Sequence, residues 1–360
     1  MEIFCGVCPK TITEHPLAFS IQPCYNRDWS VKQTQALFTQ ECVPILSLRK
    51  TIIPLLCTSL LIGGMVWAAD HFQNPEILFP EVAAIATGAI LHPKLAWRTD
   101  ALHTFAAIAV CAVLGLCIVL WMPGAVWVQM SAAYLLASVV FLLSRTSFAP
   151  MLSAAVLPVM LQTRSIIYPI AACILTASVL LVREILIRCG IRERVPFEKL
   201  PSPTPNACLQ AVLRWLIASV VIFAALRCGF RFAAAPPLLV AFTEFWKPDA
   251  VSRKRPAAVI SLLTLCAASG ACLRYLLCVQ LALPSFVAAI LTMLSVFGIM
   301  QGLKLMLPPA AAIAILAFLI PASALLLFPL QILCGIAVLV GASYLYREKA
   351  PEKQMAQSPT

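Results

Sequence analysis

The chain has 360 residues, of which 61% are hydrophobic and only 11% are Asp, Glu, Lys or Arg, with a mean hydropathy of +0.93. An ordinary soluble domain carries roughly 25% charged residues, so this composition excludes a nucleic-acid-binding protein, a secreted disulfide scaffold and a soluble enzyme of usual design. It points to an all-α polytopic membrane protein whose first partner is the lipid bilayer. The net charge of +11, from 26 Lys+Arg against 15 Asp+Glu, falls in short loops and tails, where Lys and Arg mark the cytoplasmic side of a membrane.

Residues 1–50 contain no apolar run of sufficient length, so they read as a cytoplasmic tail rather than a signal peptide. The tail holds Cys5, Cys8, Cys24 and Cys42. Cys5 and Cys8 form a C-x-x-C that could open a metal site, but no second such pair follows. Free thiols in a reducing cytoplasm are the expectation, with no metal and no cofactor.

Twelve apolar segments follow in chain order: residues 51–69, 77–91, 101–121, 126–143, 148–161 and 166–187, then 208–226, 232–246, 256–279, 283–300, 305–320 and 325–346. Segments two, five and eight are short of the roughly 20 residues that a ~30 Å crossing needs, so they are predicted to be short or half-spanning elements buried against neighbours. Between the two sets of six, residues 188–208 are rich in charge and Pro and read as a linker.

The two sets align with each other. Gly88–Arg98 lies on Thr243–Arg253, with His92-Pro93 on Lys247-Pro248 and Arg98 on Arg253. Ser144–Val156 lies on Leu303–Ile315, with Arg145 on Lys304 and Pro150 on Pro309; Tyr168–Leu175 lies on Phe328–Gly335, with Pro169 on Pro329. Three anchor points in one order predict an internal duplication, residues 51–187 and 209–346. Five basic residues in Arg183–Lys199 and four in Lys247–Arg255 assign those stretches, and both termini, to the cytoplasm. Arg164, Arg227 and Arg231 fit this pattern poorly. Each half then holds an even number of crossings, which makes the halves parallel about a pseudo-two-fold axis along the membrane normal.

Charged groups inside apolar segments are costly and therefore candidates for function. Glu81 and Glu244 read either as interfacial carboxylates or as proton-coupling groups. Arg145 and Lys304 each precede a proline-initiated helix start, at Pro150 and at Pro308 and Pro309, followed by small residues including Ser153. A helix N-terminus offers free N–H groups and partial positive charge, so two such starts facing one another would bind an anion; alternatively, the two cations are topogenic anchors. His92, Arg98, Lys247 and Arg253 read as topogenic charge or as a cytoplasmic gate. Arg274 is expected to snorkel to the interface, and Trp67, Trp121, Trp127, Trp215 and Trp246 to form an interfacial belt. No nucleophile elbow, zinc-protease motif or P-loop is present, so an enzyme is not expected.

Arg145-Thr146-Ser147-Phe148-Ala149-Pro150 and Lys304-Leu305-Met306-Leu307-Pro308-Pro309-Ala310 resemble the motif of the HPP family of bacterial and plastid membrane proteins, an R-T-x-H-P-P-A-G-A-like stretch that begins a short helix. The motif's His is replaced by Phe148 and Leu307. Some family members are associated with nitrite transport, so the resemblance implies a permease or channel-like protein for a small anion, in the plasma membrane of a bacterium. A non-transporting scaffold acting through the N-terminal tail stays open as the alternative, as does a homo-oligomer.

Overall fold

The computed structural model describes residues 48–247 and 250–344; the four tail cysteines, Pro248 and the C-terminal tail lie outside the described residues. Among the described residues every regular element is helical: α1 (Leu48–His71), α2 (Glu81–Ala86, prolonged by a π-helical turn Thr87–Leu91), α3 (Ala101–Trp121), α4 (Val126–Ser144), α5 (Pro150–Leu161), α6 (Ile167–Arg188), α7 (Pro205–Arg227), α8 (Pro236–Phe245), α9 (Pro256–Leu273, prolonged by a π-helical stretch Arg274–Gln280), α10 (Ser285–Gly302), α11 (Pro308–Leu316) and α12 (Phe328–Ser343). Each predicted segment therefore carries one principal helix. Seven of these, α1, α3, α4, α6, α7, α9 with its extension, and α10, are long and apolar enough to cross a membrane.

Local chemistry sets the boundaries. The Asp100 carboxylate accepts from the His103 amide at 2.7 Å and starts α3, and the Thr204 hydroxyl accepts from the Ala207 amide at 3.2 Å and starts α7. Helices α5, α8 and α11 each begin on proline, and α2 follows Pro80. Proline costs nothing in the first turn, where its missing N–H would have had no partner.

The long helices turn large apolar side chains outward and small ones inward. On α7, Leu209, Val212, Leu216, Val220 and Phe223 are exposed, while Ala211, Ala218 and Ala225 are buried. On α6, Ile170, Ile174, Leu181 and Ile185 are exposed, while Ala171 and Ala172 are buried. An outer stripe of this kind is compatible with a lipid surround, and small residues let the helices approach one another. The approach is close at Gly115 of α3 and Gly270 of α9, where an added Cβ would collide with the backbone carbonyls of Ala155 in α5 and Ala314 in α11.

Four short helices occupy the centre. Every residue of α2 and α11 is buried, as are all of α5 except Leu161 and all of α8 except Glu244. They pack in a closed ring, α2 on α5, α5 on α8, α8 on α11 and α11 on α2, with α1 on α10 and α4 on α7 outside it.

This arrangement changes three expectations. Segment eleven is also short, nine residues in α11, because Pro308-Pro309 starts the helix late and the chain beyond Leu316 leaves it in turns. The principal short-helix partners of α5 and α11 are helices of the other set, α5 on α8 and α11 on α2, rather than one another. Trp67 and Trp121 are exposed at helix ends, but Trp246 is buried and the Trp215 indole N–H donates to Ser131 within the bundle, so neither belongs to a belt.

Candidate functional site

At the first turn of α2 stands Glu81, 1% exposed. The carboxylate does not reach solvent at the helix end, and Leu78, Phe79 and Pro80 before it are buried as well. The Ser153 hydroxyl of α5 donates to Glu81 Oε1, while Oε2 is buried with no hydrogen-bond partner. The structure thus joins two predicted site residues from different segments, at the contact of two short helices.

The wall around this pair follows from proline chemistry. Pro158 lacks an N–H, which leaves the Ala154 carbonyl of α5 without its helical donor. The Tyr168 hydroxyl fills that gap, donating to Ala154 O at 2.9 Å. Tyr168 is itself buried, packs edge-on against Phe79 with centroids 6.0 Å apart, and lies within electrostatic reach of Glu81 and Cys111.

The other end of α2 is closed by arginines. Arg183 donates to Ala89 O at 2.6 Å, and Arg192 donates to Ile90 O at 2.7 Å and Leu91 O at 3.1 Å. Cations suit a helix C-terminus, where carbonyls lack partners and the dipole is negative. Arg192 also donates to Lys50 O at 3.1 Å, the carbonyl that Pro54 of α1 leaves unpaired.

The predicted gate residues gather at this same end. His92 Nδ1 donates to Lys94 O at 2.6 Å. Burial lowers the basicity of its imidazole, the bond to the Lys94 carbonyl opposes that, and the Arg192 charge adds to it, with a net downward shift. The Arg98 amide donates to the Ser147 hydroxyl at 2.8 Å, which ties the loop before α3 to the start of α5. Arg253 donates to Ser343 O at 2.8 Å and so ends α12, while Lys247 is exposed. Glu244, half-buried at the end of α8, accepts from the Trp97 indole N–H at 2.9 Å, and the Trp97 ring lies edge-on to Phe148.

Arg145 and Lys304 occupy matching backbone positions, both at φ 51 in the left-handed region after α4 and α10. Their side chains have different surroundings: Arg145 Nε donates to Leu200 O of the linker at 2.6 Å, and Lys304 is exposed. Arg274 does not snorkel; its guanidinium bonds the carbonyls of Ala317 and Ile320 just beyond α11. Arg227 lies over the Phe223 ring at 5.9 Å, and Arg164 and Arg231 are exposed.

Sequence reasoning missed Arg214, the lone charge in the middle of segment seven. It is 9% exposed within α7 and interacts electrostatically with the Tyr134 phenol of α4, whose hydroxyl is 2.8 Å from Thr243 Oγ1 of α8. A search for charges flanked on both sides by apolar residues would have found it.

No family model, curated protein or solved structure matches this chain. Its class therefore rests on the molecule alone: seven long apolar helices that carry large apolar side chains on their exposed faces are compatible with a membrane-embedded helical protein.

Proposed function

We propose that the protein is a secondary permease for a small anion, built of two parallel six-helix repeats, with Glu81 carrying a proton against Ser153. The observation that carries the reading is the Glu81–Ser153 pair: a buried carboxyl group with one oxygen engaged and the other unpartnered, at the centre of a ring of short helices. Groups of this kind inside a membrane protein are costly and mark ion and proton paths. A carboxyl alternates between a charged and a neutral form, so it can take a proton on one side and yield it on the other. The resemblance to the HPP family supplies the cargo class, with nitrite as the first candidate.

The duplication is supported by recurring contacts. Helix α3 packs on α4, α5 and α6 as α9 packs on α10, α11 and α12. Gly115 and Gly270, which meet α5 and α11, are separated by the interval that aligns Gly88–Arg98 with Thr243–Arg253. Parallel halves are supported by the Trp97–Glu244 bond, which brings the loop after α2 to the end of α8. On this reading the arginine-rich end faces the cytoplasm, with the termini, in a bacterial plasma membrane.

The test is uptake of nitrite into liposomes holding the full chain, with an internal pH dye. Wild type is expected to acidify the lumen with uptake, and Glu81→Gln to abolish proton movement. Proton-coupled uptake by Glu81→Gln equal to wild type refutes the role of Glu81. Wild-type liposomes no more permeable than empty ones to nitrite, nitrate or formate refute the permease.

A further inference from the structure

We propose that Arg214, with the hydroxyl of Tyr134 that Thr243 orients, forms a binding site for a small monovalent oxyanion where α7 packs on α4. The inference deepens the permease reading, on which it rests for the meaning of the site, and it places the anion-attracting charge at a residue other than Arg145 or Lys304.

Arg214 lies nine positions after Pro205 and thirteen before Arg227 in α7, about 14 Å and 20 Å along the helix axis at 1.5 Å per residue. It is thus near mid-depth in a helix long enough to span a membrane. It is 9% exposed, and its Nε is buried without a hydrogen-bond partner. No carboxylate pairs with it among the described residues, whose ion pairs involve only His103–Asp100, Arg188–Glu184 and Arg194–Glu184. By contrast, the buried Arg192 bonds four carbonyl oxygens. Arg192 is a structural cap; Arg214 is a desolvated cation without a counter-charge.

The surroundings suit an oxyanion. Tyr134 is fully buried on α4, against which α7 packs, and interacts electrostatically with the guanidinium; its hydroxyl is 2.8 Å from Thr243 Oγ1. Thr243 Oγ1 already donates to Leu239 O at 3.0 Å, so the Tyr134 hydroxyl hydrogen is held toward Thr243 unless a stronger acceptor arrives. A guanidinium offers a planar fork of donors that matches two oxygens of one anion. One cation and one neutral hydroxyl donor balance a single negative charge. Sulfate or phosphate would leave an excess charge in the interior, which is why the ligand class is monovalent.

The alternative is a structural role, with Arg214 holding α7 to α4. The two differ in sign. Removing an uncompensated buried charge in favour of an apolar side chain of similar volume stabilises a protein, whereas removing a structural tie destabilises it.

The experiment uses the full chain in detergent, melted in sodium gluconate with rising sodium nitrite or nitrate at constant ionic strength. Wild type is expected to show a saturable rise in melting temperature. Arg214→Met is expected to melt above wild type in gluconate and to lose the anion response. Arg214→Lys keeps the charge without the fork, and Tyr134→Phe removes one donor; each should weaken apparent affinity about ten- to a hundredfold. A response retained in Arg214→Met, a wild type indifferent to both anions, or an Arg214→Met protein that melts below wild type in gluconate overturns the site. Glu81→Gln separates the two readings, because it should bind anion as wild type does while failing in proton-coupled uptake. Binding that depends on Arg214 without any liposome flux would sink the permease and leave the site; flux unaffected by Arg214→Lys would sink the site and leave the permease.

Discussion

Replacing Gly115 or Gly270 by alanine tests the packing at the heart of the fold. At Gly115 a new Cβ would strike the Ala155 carbonyl oxygen, with the carbonyl carbon at 3.0 Å and Pro158 Cγ at 2.6 Å. At Gly270 it would strike the Ala314 carbonyl oxygen, with the carbonyl carbon at 2.9 Å and Cα at 3.0 Å. These are mostly backbone atoms, which cannot rotate aside, and unstrained carbon contacts lie near ~3.5–4.0 Å. The helices must therefore separate by about 1 Å, at an overpacking cost of roughly 1–3 kcal/mol. Alanine itself is favoured over glycine within a helix by about 1 kcal/mol, so the net loss is about 0–2 kcal/mol. Gly64 of α1 and Gly298 of α10 serve as internal controls, since nothing lies within 4 Å of a Cβ built at either. There alanine should be neutral or stabilising by up to about 1 kcal/mol. Reversible unfolding of the four variants in mixed micelles, followed by tryptophan fluorescence, should separate the two pairs by about 1–3 kcal/mol. If Gly115→Ala and Gly270→Ala unfold with the controls, α3 does not lie against α5, nor α9 against α11, as described.

Asp100→Ala should cost about 1 kcal/mol through loss of the α3 cap, whereas Asp100→Asn keeps most of it. Burial alone would raise the Asp100 carboxyl, but the His103 amide and ring bonds outweigh it and hold it below the usual carboxylate range; its stabilising effect should therefore be present above about pH 4 and fade as pH falls further, a dependence that thermal melts should lose in Asp100→Asn. The His92 imidazole is likewise held below its ordinary range, so its contribution is complete above about pH 6.5 and declines on acidification; in melts from pH 8 to pH 5, His92→Gln should flatten the slope. Tyr168→Phe should cost about 1–3 kcal/mol by stranding the Ala154 carbonyl, and Pro158→Ala, which restores a helical donor to that carbonyl, should shrink the cost in the double mutant. A double mutant that unfolds at the sum of its singles would refute that account.

Hydrophobic runs made the long helices legible, and prolines made the starts of the short ones legible, because both signals are local. Segment three reproduces Ala101–Trp121 at both ends, since Asp100 caps the start and the chain turns at Met122-Pro123. The length of α11 was hidden: residues 317–320 are as apolar as the helix they follow, and the Arg274 guanidinium that takes the Ala317 and Ile320 carbonyls comes from another segment. Glu81 and Ser153 were each visible, but their meeting was not, because it depends on how deeply the chain after α1 re-enters the protein. Arg214 went unseen for a different reason: attention to loops and segment ends passes over a charge in mid-helix, which the apolar residues on both sides make most costly.

Helix packing and side-chain chemistry obey different symmetries. In the proposed duplication, Glu81 falls on Pro236, Ser153 on Ala312 and Arg214 on Ser59. Gly115 and Gly270, and the left-handed Arg145 and Lys304, keep the same roles in both halves because each serves backbone geometry, which both halves must satisfy to close the ring of short helices. The ionisable groups serve no such need, and each appears once. Among the described residues Glu81 is the one buried carboxyl, and of the two buried guanidiniums Arg192 is a helix cap, which leaves Arg214; on the permease reading these groups move at most one proton with one anion. The coupling ratio in liposomes should therefore be one to one, and a measured ratio of two protons per anion would require a second carrier, for which Glu244, on the ring helix α8 beside Trp97, is the candidate.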